Sequence, residues 1–156
     1  MFSLCVVAVG SLKRSYWKEA ASDYLKRLSG YARLQVVEVP EVPFRDARDA
    51  ARVQKHEAEH LMARIPHGSY RIALDSGGKR FSSETFARHL ADQGEGGRTI
   101  CFLIGGPLGL SRELVQSCDL SLSLGTLTLT HQLARIVLLE QLYRATTILH
   151  NKTYHY

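Results

Sequence analysis

The sequence carries clusters whose residue types and spacing could do chemistry. In His56-Glu57-Ala58-Glu59-His60, two histidines four apart share a helix face, the H-E-x-x-H arrangement that holds zinc with the glutamate as base. The run from Arg52 to Arg64 is dense in charge and reads as a solvated face. No downstream Gly and third His complete the longer metzincin pattern, so no resident metal is expected. Gly105-Gly106-Pro107-Leu108-Gly109 would let backbone approach a ligand closely, with any side chain at Gly106 expected to enter the ligand cleft. The alternative is a tight strand-to-helix turn. The run is neither G-x-G-x-x-G nor a Walker loop, so dinucleotide and nucleotide-triphosphate binding are not indicated.

The block from Leu127 to Ala145 is the richest in candidates. Leu133, Ile136, Val137, Leu139 and Tyr143 give a broad apolar surface with one acid, Glu140, embedded in it. A helix apolar nearly all round must be buried, in the core or against another subunit, and Leu139 is placed on the surplus face. Glu140 and Arg144, four apart, suit a helical ion pair. His131, inside the block, reads as an N-terminal capping or packing residue. No acid follows Glu140, whereas Arg144, His150, Lys152 and His155 do, so the C-terminal end is cationic.

The elements that must position these groups follow from hydrophobic periodicity. Strands are expected at Leu4–Val9, Leu34–Val39, Tyr70–Leu74, Thr99–Ile104 and Leu120–Leu124, with a turn at Asp75–Gly78. Helices are expected at Tyr16–Leu28, Asp46–Ile65, Ser82 or Ser83 to Gln93, Ser111–Cys118 and His131–Leu149. Alternation of strand and helix predicts an α/β domain with a mainly parallel sheet, spanning residues 1–156 without a composition break. In such sheets ligands bind beyond the carboxyl ends of the strands, and the Asp75–Lys79, Gly105–Gly109 and Gly125–Thr130 loops fit that place.

Composition narrows the class further. The 156 residues suit one ordinary domain, and 45% apolar with 22% charged residues exclude wholesale disorder. The longest apolar runs fall far short of the roughly 20 residues of a membrane span. The N-terminus lacks a basic region and cleavage pattern, and the three cysteines, two of them inside apolar runs, suggest no disulfide framework. A cytoplasmic setting is expected. A net charge of +5 favours a polyanionic partner such as nucleic acid.

Val7-Ala8-Val9-Gly10, Tyr24-Leu25-Lys26-Arg27, Ile104-Gly105-Gly106-Pro107, the Leu127–Ala145 block and the terminal Tyr154-His155 together carry a family resemblance along the whole chain. The sequence resembles the SPOUT-superfamily methyltransferases that act on N3 of a pseudouridine in large-subunit ribosomal RNA. It departs from the family pattern at Leu108, Thr130, Thr153 and Tyr156. The resemblance implies a Rossmann-like sheet with a C-terminal trefoil knot, a homodimer, S-adenosylmethionine as cofactor, and the ribosome or its large-subunit RNA as partner. It also assigns the cofactor to Leu74, Gly105, Gly106 and the run Gly125, Thr126, Leu127, Thr128, Leu129 and Thr130. Catalytic roles fall to Arg144, Tyr154, His155 and His131, with the tail as a lid whose tyrosine stacks on a base. Another RNA target within the superfamily, or a non-catalytic ribosome-binding module, are the alternatives.

Overall fold

The computed structural model describes residues 1–154. Five strands, β1 (Phe2–Val9), β2 (Ala32–Val39), β3 (Tyr70–Lys79), β4 (Ile100–Ile104) and β5 (Leu120–Leu122), form one sheet in the order β2-β1-β4-β3-β5, with every pairing parallel. Central β1 and β4 are near-continuous apolar runs because both their faces are covered. Leu4, Val6, Ala8, Ile100 and Phe102 point to one side. There they meet α1 (Ser15–Leu28), α3 (Ser83–Gln93) and α5 (His131–Leu149) through Leu28, Phe86, Leu90, Leu138 and Leu142. Cys5, Val7, Val9, Cys101 and Leu103 point to the other, under α2 (Ala50–Met62) and α4 (Arg112–Ser117) through Ala58, Leu61 and Leu114. Cys5 and Cys101 are register partners and, like Cys118, free thiols.

Three expectations are corrected. The Asp75–Gly78 segment is not a turn that ends β3: Leu74 and Lys79 both pair with Leu122, so the intervening residues bulge and the strand resumes. A glycine-rich bulge and a turn share one composition, and only the partner strand separates them. The long helix expected at Asp46–Ile65 begins as a separate 3-10 turn, Ala47–Asp49, because the Asp46 side chain accepts the Arg48 backbone N–H at 2.8 Å. Leu139 does not lie on a surplus face of α5: packing against α1 and α3 leaves it 1% exposed, while Leu133, Val137 and Tyr143 stay half-buried. Leu139 is thus a core residue, not a subunit contact.

Among the described residues no helix is long and apolar enough to cross a membrane. Leu139→Ala should lower the unfolding free energy by about 2–5 kcal/mol, the cost of an unfilled cavity at a fully buried site, and urea titration measures it.

Candidate functional site

The bulge of β3 and the loops leaving β4 and β5 converge with the start of α5 around a cleft of about 870 Å³, within the range of roughly 300–1,000 Å³ for ligand pockets. Leu74, Gly105, Gly106, Gly125, Leu127, Thr128, Leu129, Thr130 and His131 all line it. Thr126 does not. Leu122 and Leu124 add apolar wall, and Asp75 and Ser76 a polar edge.

Local rules explain how the cleft is held open. The Gly109 N–H donates to the Gly106 carbonyl at 3.0 Å, closing a tight loop. A Cβ on Gly105 would lie 2.7 Å from the Gly109 carbonyl carbon, so only glycine fits there. Gly106 overturns its expected orientation. A Cβ there would point away from the cleft, 3.1 Å from both Glu57 Oε1 and Val9 Cγ1. Its lack of side chain serves packing behind the loop.

Behind the loop stands α2, whose Arg52, Lys55, His56 and Glu59 are exposed as the charged-face reading expects, with one exception. Glu57 is 2% exposed, in the helix stripe formed with Val53, Ala58 and Leu61. Its Oε2 accepts the Val42 N–H at 3.0 Å, while Oε1 is buried without a hydrogen-bond partner among the described residues. Burial pushes its pKa up, reinforced by nearby Glu41 and opposed by the Val42 bond and His60. One turn earlier, Gln54 donates to the Leu108 carbonyl at 2.6 Å. The H-E-x-x-H histidines have separate neighbours. His56 faces Glu59 at 3.5 Å, and His60 Nδ1 lies 3.3 Å from the Pro40 carbonyl. Among the described residues no group of three metal-ligating side chains occurs.

The opposite wall begins at Thr130, whose side chain accepts the Leu133 N–H at 3.3 Å and caps α5. His131 is therefore the first helical residue and not the cap. Burial, with Arg135 and Lys13 nearby, lowers the His131 pKa against the pull of Glu41, so the ring is neutral near pH 7. Arg135, buried in the same helix turn, donates to the Gly10 carbonyl at 2.9 Å and to Glu38 at 2.8 Å.

The remaining candidates lie elsewhere. Arg144 pairs with Glu140 at 2.5 Å and lies 4.9 Å over the Tyr154 ring. The Tyr154 hydroxyl donates to Glu140 at 3.2 Å, and its ring meets Tyr143 edge-on at 4.8 Å. Burial first, then Glu140 and Tyr24, push its pKa up to about 12. Tyr154 is thus packed onto α5 rather than poised as a free lid. His155 lies outside the described residues. With a rise of about 1.5 Å per residue, Arg144 sits some 20 Å along α5 from His131.

Residues 2–155 match the family described as "Predicted SPOUT methyltransferase". The chain belongs to the SPOUT methyltransferase family. Among its curated relatives, a protein of Carboxydothermus hydrogenoformans is 45% identical over 97% of this chain and 98% of its own. One of Pelotomaculum thermopropionicum is 45% identical over the whole of both. One of Ruminiclostridium cellulolyticum is 42% identical over 97% and 98%. All three are named "Ribosomal RNA large subunit methyltransferase H". The crystal structure of TrmJ from Z. mobilis ZM4 shares the SPOUT fold at TM-score 0.51 and 16% identity, over 94% of this chain and 70% of that one. Family membership implies a methyl donor.

Gln54 and Arg135 were not among the residues the sequence singled out, and Glu57 figured only as the acid of the H-E-x-x-H match. The signal for Glu57 is an acid inside the Val53–Leu61 apolar stripe of α2. Because its folded-state pKa is raised, Glu57 contributes stability that is whole below the ordinary carboxylate range, about pH 4.3, and is lost as pH rises through the raised value. Urea unfolding of wild type and Glu57→Gln across that window should show the gap between them moving in favour of Gln as pH rises. Separately, Thr130→Ala should cost about 1 kcal/mol through the lost cap, measured the same way.

Proposed function

We propose that this SPOUT protein methylates N3 of a pseudouridine in large-subunit ribosomal RNA, with S-adenosylmethionine as donor, as a cytoplasmic homodimer with the family's C-terminal trefoil knot. The observation that carries this reading is the cleft where the β3, β4 and β5 loops meet the His131 end of α5. Family membership and the name shared by relatives at 42–45% identity support the substrate.

The residues present fit that cofactor. Leu74, Leu122 and Leu124 offer apolar walls to an adenine, and the peptides of Gly125–Thr130 offer it hydrogen bonds. Gly105 and Gly109 leave backbone bare for the remainder. When bound, S-adenosylmethionine supplies an electrophilic methyl group on a sulfonium centre.

The chain's own residues handle the proton and the charge. N3 of pseudouridine is an imide nitrogen and must lose its proton to attack. Neutral His131 at the cleft edge is a proton acceptor. Arg144, oriented by Glu140, offers a cation to the anion that forms, and Tyr154 an aromatic face beside it. His155 belongs to the same tail. Groups some 20 Å apart on one helix cannot serve one base within one chain. A two-fold dimer that lays the Arg144 end of one protomer over the cleft of its partner unites them.

Labelled cofactor incubated with large-subunit RNA from cells lacking the modification should yield methylated pseudouridine on nucleoside analysis. A methylated ribose would replace the target, and absent cofactor binding would leave a ribosome-binding module. Deleting Tyr154–Tyr156 should leave cofactor affinity near normal by calorimetry. Methyl transfer should fall at least about tenfold, some 1.4 kcal/mol of transition-state stabilisation. Sedimentation should find a dimer at micromolar concentration. A heterodimer of Arg144→Ala and His131→Ala chains should recover activity that neither homodimer has, since one of its two sites is intact. A monomeric, active wild type would contradict the shared site.

A further inference from the structure

The cleft has a wall that the cofactor reading leaves unused. Arg14, Tyr16 and Trp17 line it from the start of α1. Of the four large apolar side chains left exposed among the described residues, two border this one cleft: Tyr16, 58% exposed, and Leu127, 81% exposed. Single exposed apolar side chains are ordinary, but two bordering one concavity mark a binding surface.

Tyr16 is also held in place. Its ring meets Trp17 edge-on at 5.0 Å and 64°, and Trp17 packs against the core beneath α1. The pair therefore presents an aromatic platform at little entropic cost. Around it stand the exposed cations Lys13, Arg14 and Lys18, none with an ion pair or side-chain hydrogen bond among the described residues. Glu19 follows on the helix, and Asp75 lines the same cleft. An aromatic face flanked by unpaired cations is what an unstacked base and its phosphate require, because every base has a π-face and every linkage a negative charge.

We propose that Lys13–Trp17 is a single-stranded RNA subsite, in which Tyr16 stacks on a base neighbouring the methylated one while Arg14 and Lys13 hold the adjoining phosphate. The proposal rests on the RNA-methyltransferase reading and adds a substrate-holding residue set that lies apart from the cofactor loops and the tail. A nucleotide seated there enters from the open side of the cleft, over Leu127, and leaves the apolar wall of Leu74 and Leu122 to the cofactor.

The test measures three quantities on the full-length chain: affinity for a hairpin RNA with one pseudouridine in its loop, affinity for S-adenosylmethionine, and mass by sedimentation. Tyr16→Ala should weaken RNA binding about tenfold and raise the RNA KM by a similar factor. Cofactor affinity and mass should not change, and Tyr16→Phe should restore RNA binding because stacking needs no hydroxyl. Arg14→Gln should lower the slope of log affinity against log salt by about one, weakening all RNA sequences alike. Wild-type RNA affinity in Tyr16→Ala, or dissociation of a wild-type dimer by that change, would overturn the subsite; the second result would make the ring a subunit contact. If the wild type transfers no methyl group yet binds the hairpin through Tyr16, the enzymatic reading fails and the subsite stands.

Discussion

Arg135 holds the two halves of the molecule in register. It sits one helical turn into α5, buried, with its guanidinium on the Gly10 carbonyl at the end of β1 and on Glu38 near the end of β2. Since β5 lies at the far edge of the sheet, the chain must cross back over the carboxyl ends of β3 and β4 before α5 can begin. A buried cation without both acceptors would carry an uncompensated desolvation cost of several kcal/mol, so the contact specifies a single docking position. That position sets Thr130 and His131 beside the glycine loop and thereby makes a cleft out of three separate loops.

The glycine loop needs a second constraint, because a backbone turn with no side chains has little to anchor it. It comes from α2, on the opposite face of the sheet. Gln54 holds the Leu108 carbonyl, and Glu57 packs directly behind Gly106. A carboxyl buried there with one oxygen unsatisfied disfavours its own ionised form. The helix whose histidines imitate a zinc motif thus works as a buttress, and its acid acts through the loop rather than on a ligand.

Helix α5 then sorts chemistry by position along its length. Its first turn carries the cap and the neutral histidine; its last third carries the Glu140–Arg144 pair, with Tyr154 folded back upon it. The aromatic cluster of Tyr31, Tyr143, Tyr154 and His150 ties the chain end to the helix and to the start of β2. A rigid helix keeps the two ends apart by some 20 Å, at a rise of about 1.5 Å per residue.

Much of this architecture was legible in the sequence. Periodicity located all five strands and the helices between them, since a sheet covered on both faces writes uninterrupted apolar runs such as Ile100–Ile104. Ser82 and Ser111 marked helix starts because capping is local chemistry, and the Glu140–Arg144 spacing specified its ion pair for the same reason. One topological rule about strand ends placed the Gly105–Gly109 and Gly125–Thr130 loops at the cleft, but not its α1 side. What tertiary structure alone decided involves partners distant in the chain. Glu57 reads as one charge among many until the fold packs it against Gly106. Gly106 looks like an opening into the cleft until its missing Cβ is found to face Val9. Leu139 looks like surplus apolar surface until α1 and α3 close over it. The family resemblance marked Thr130 as a departure from the family pattern, and only the fold revealed that its hydroxyl caps α5. In each case the sequence shows a residue's chemistry but not the direction of its side chain, and direction depends on packing between segments tens of residues apart.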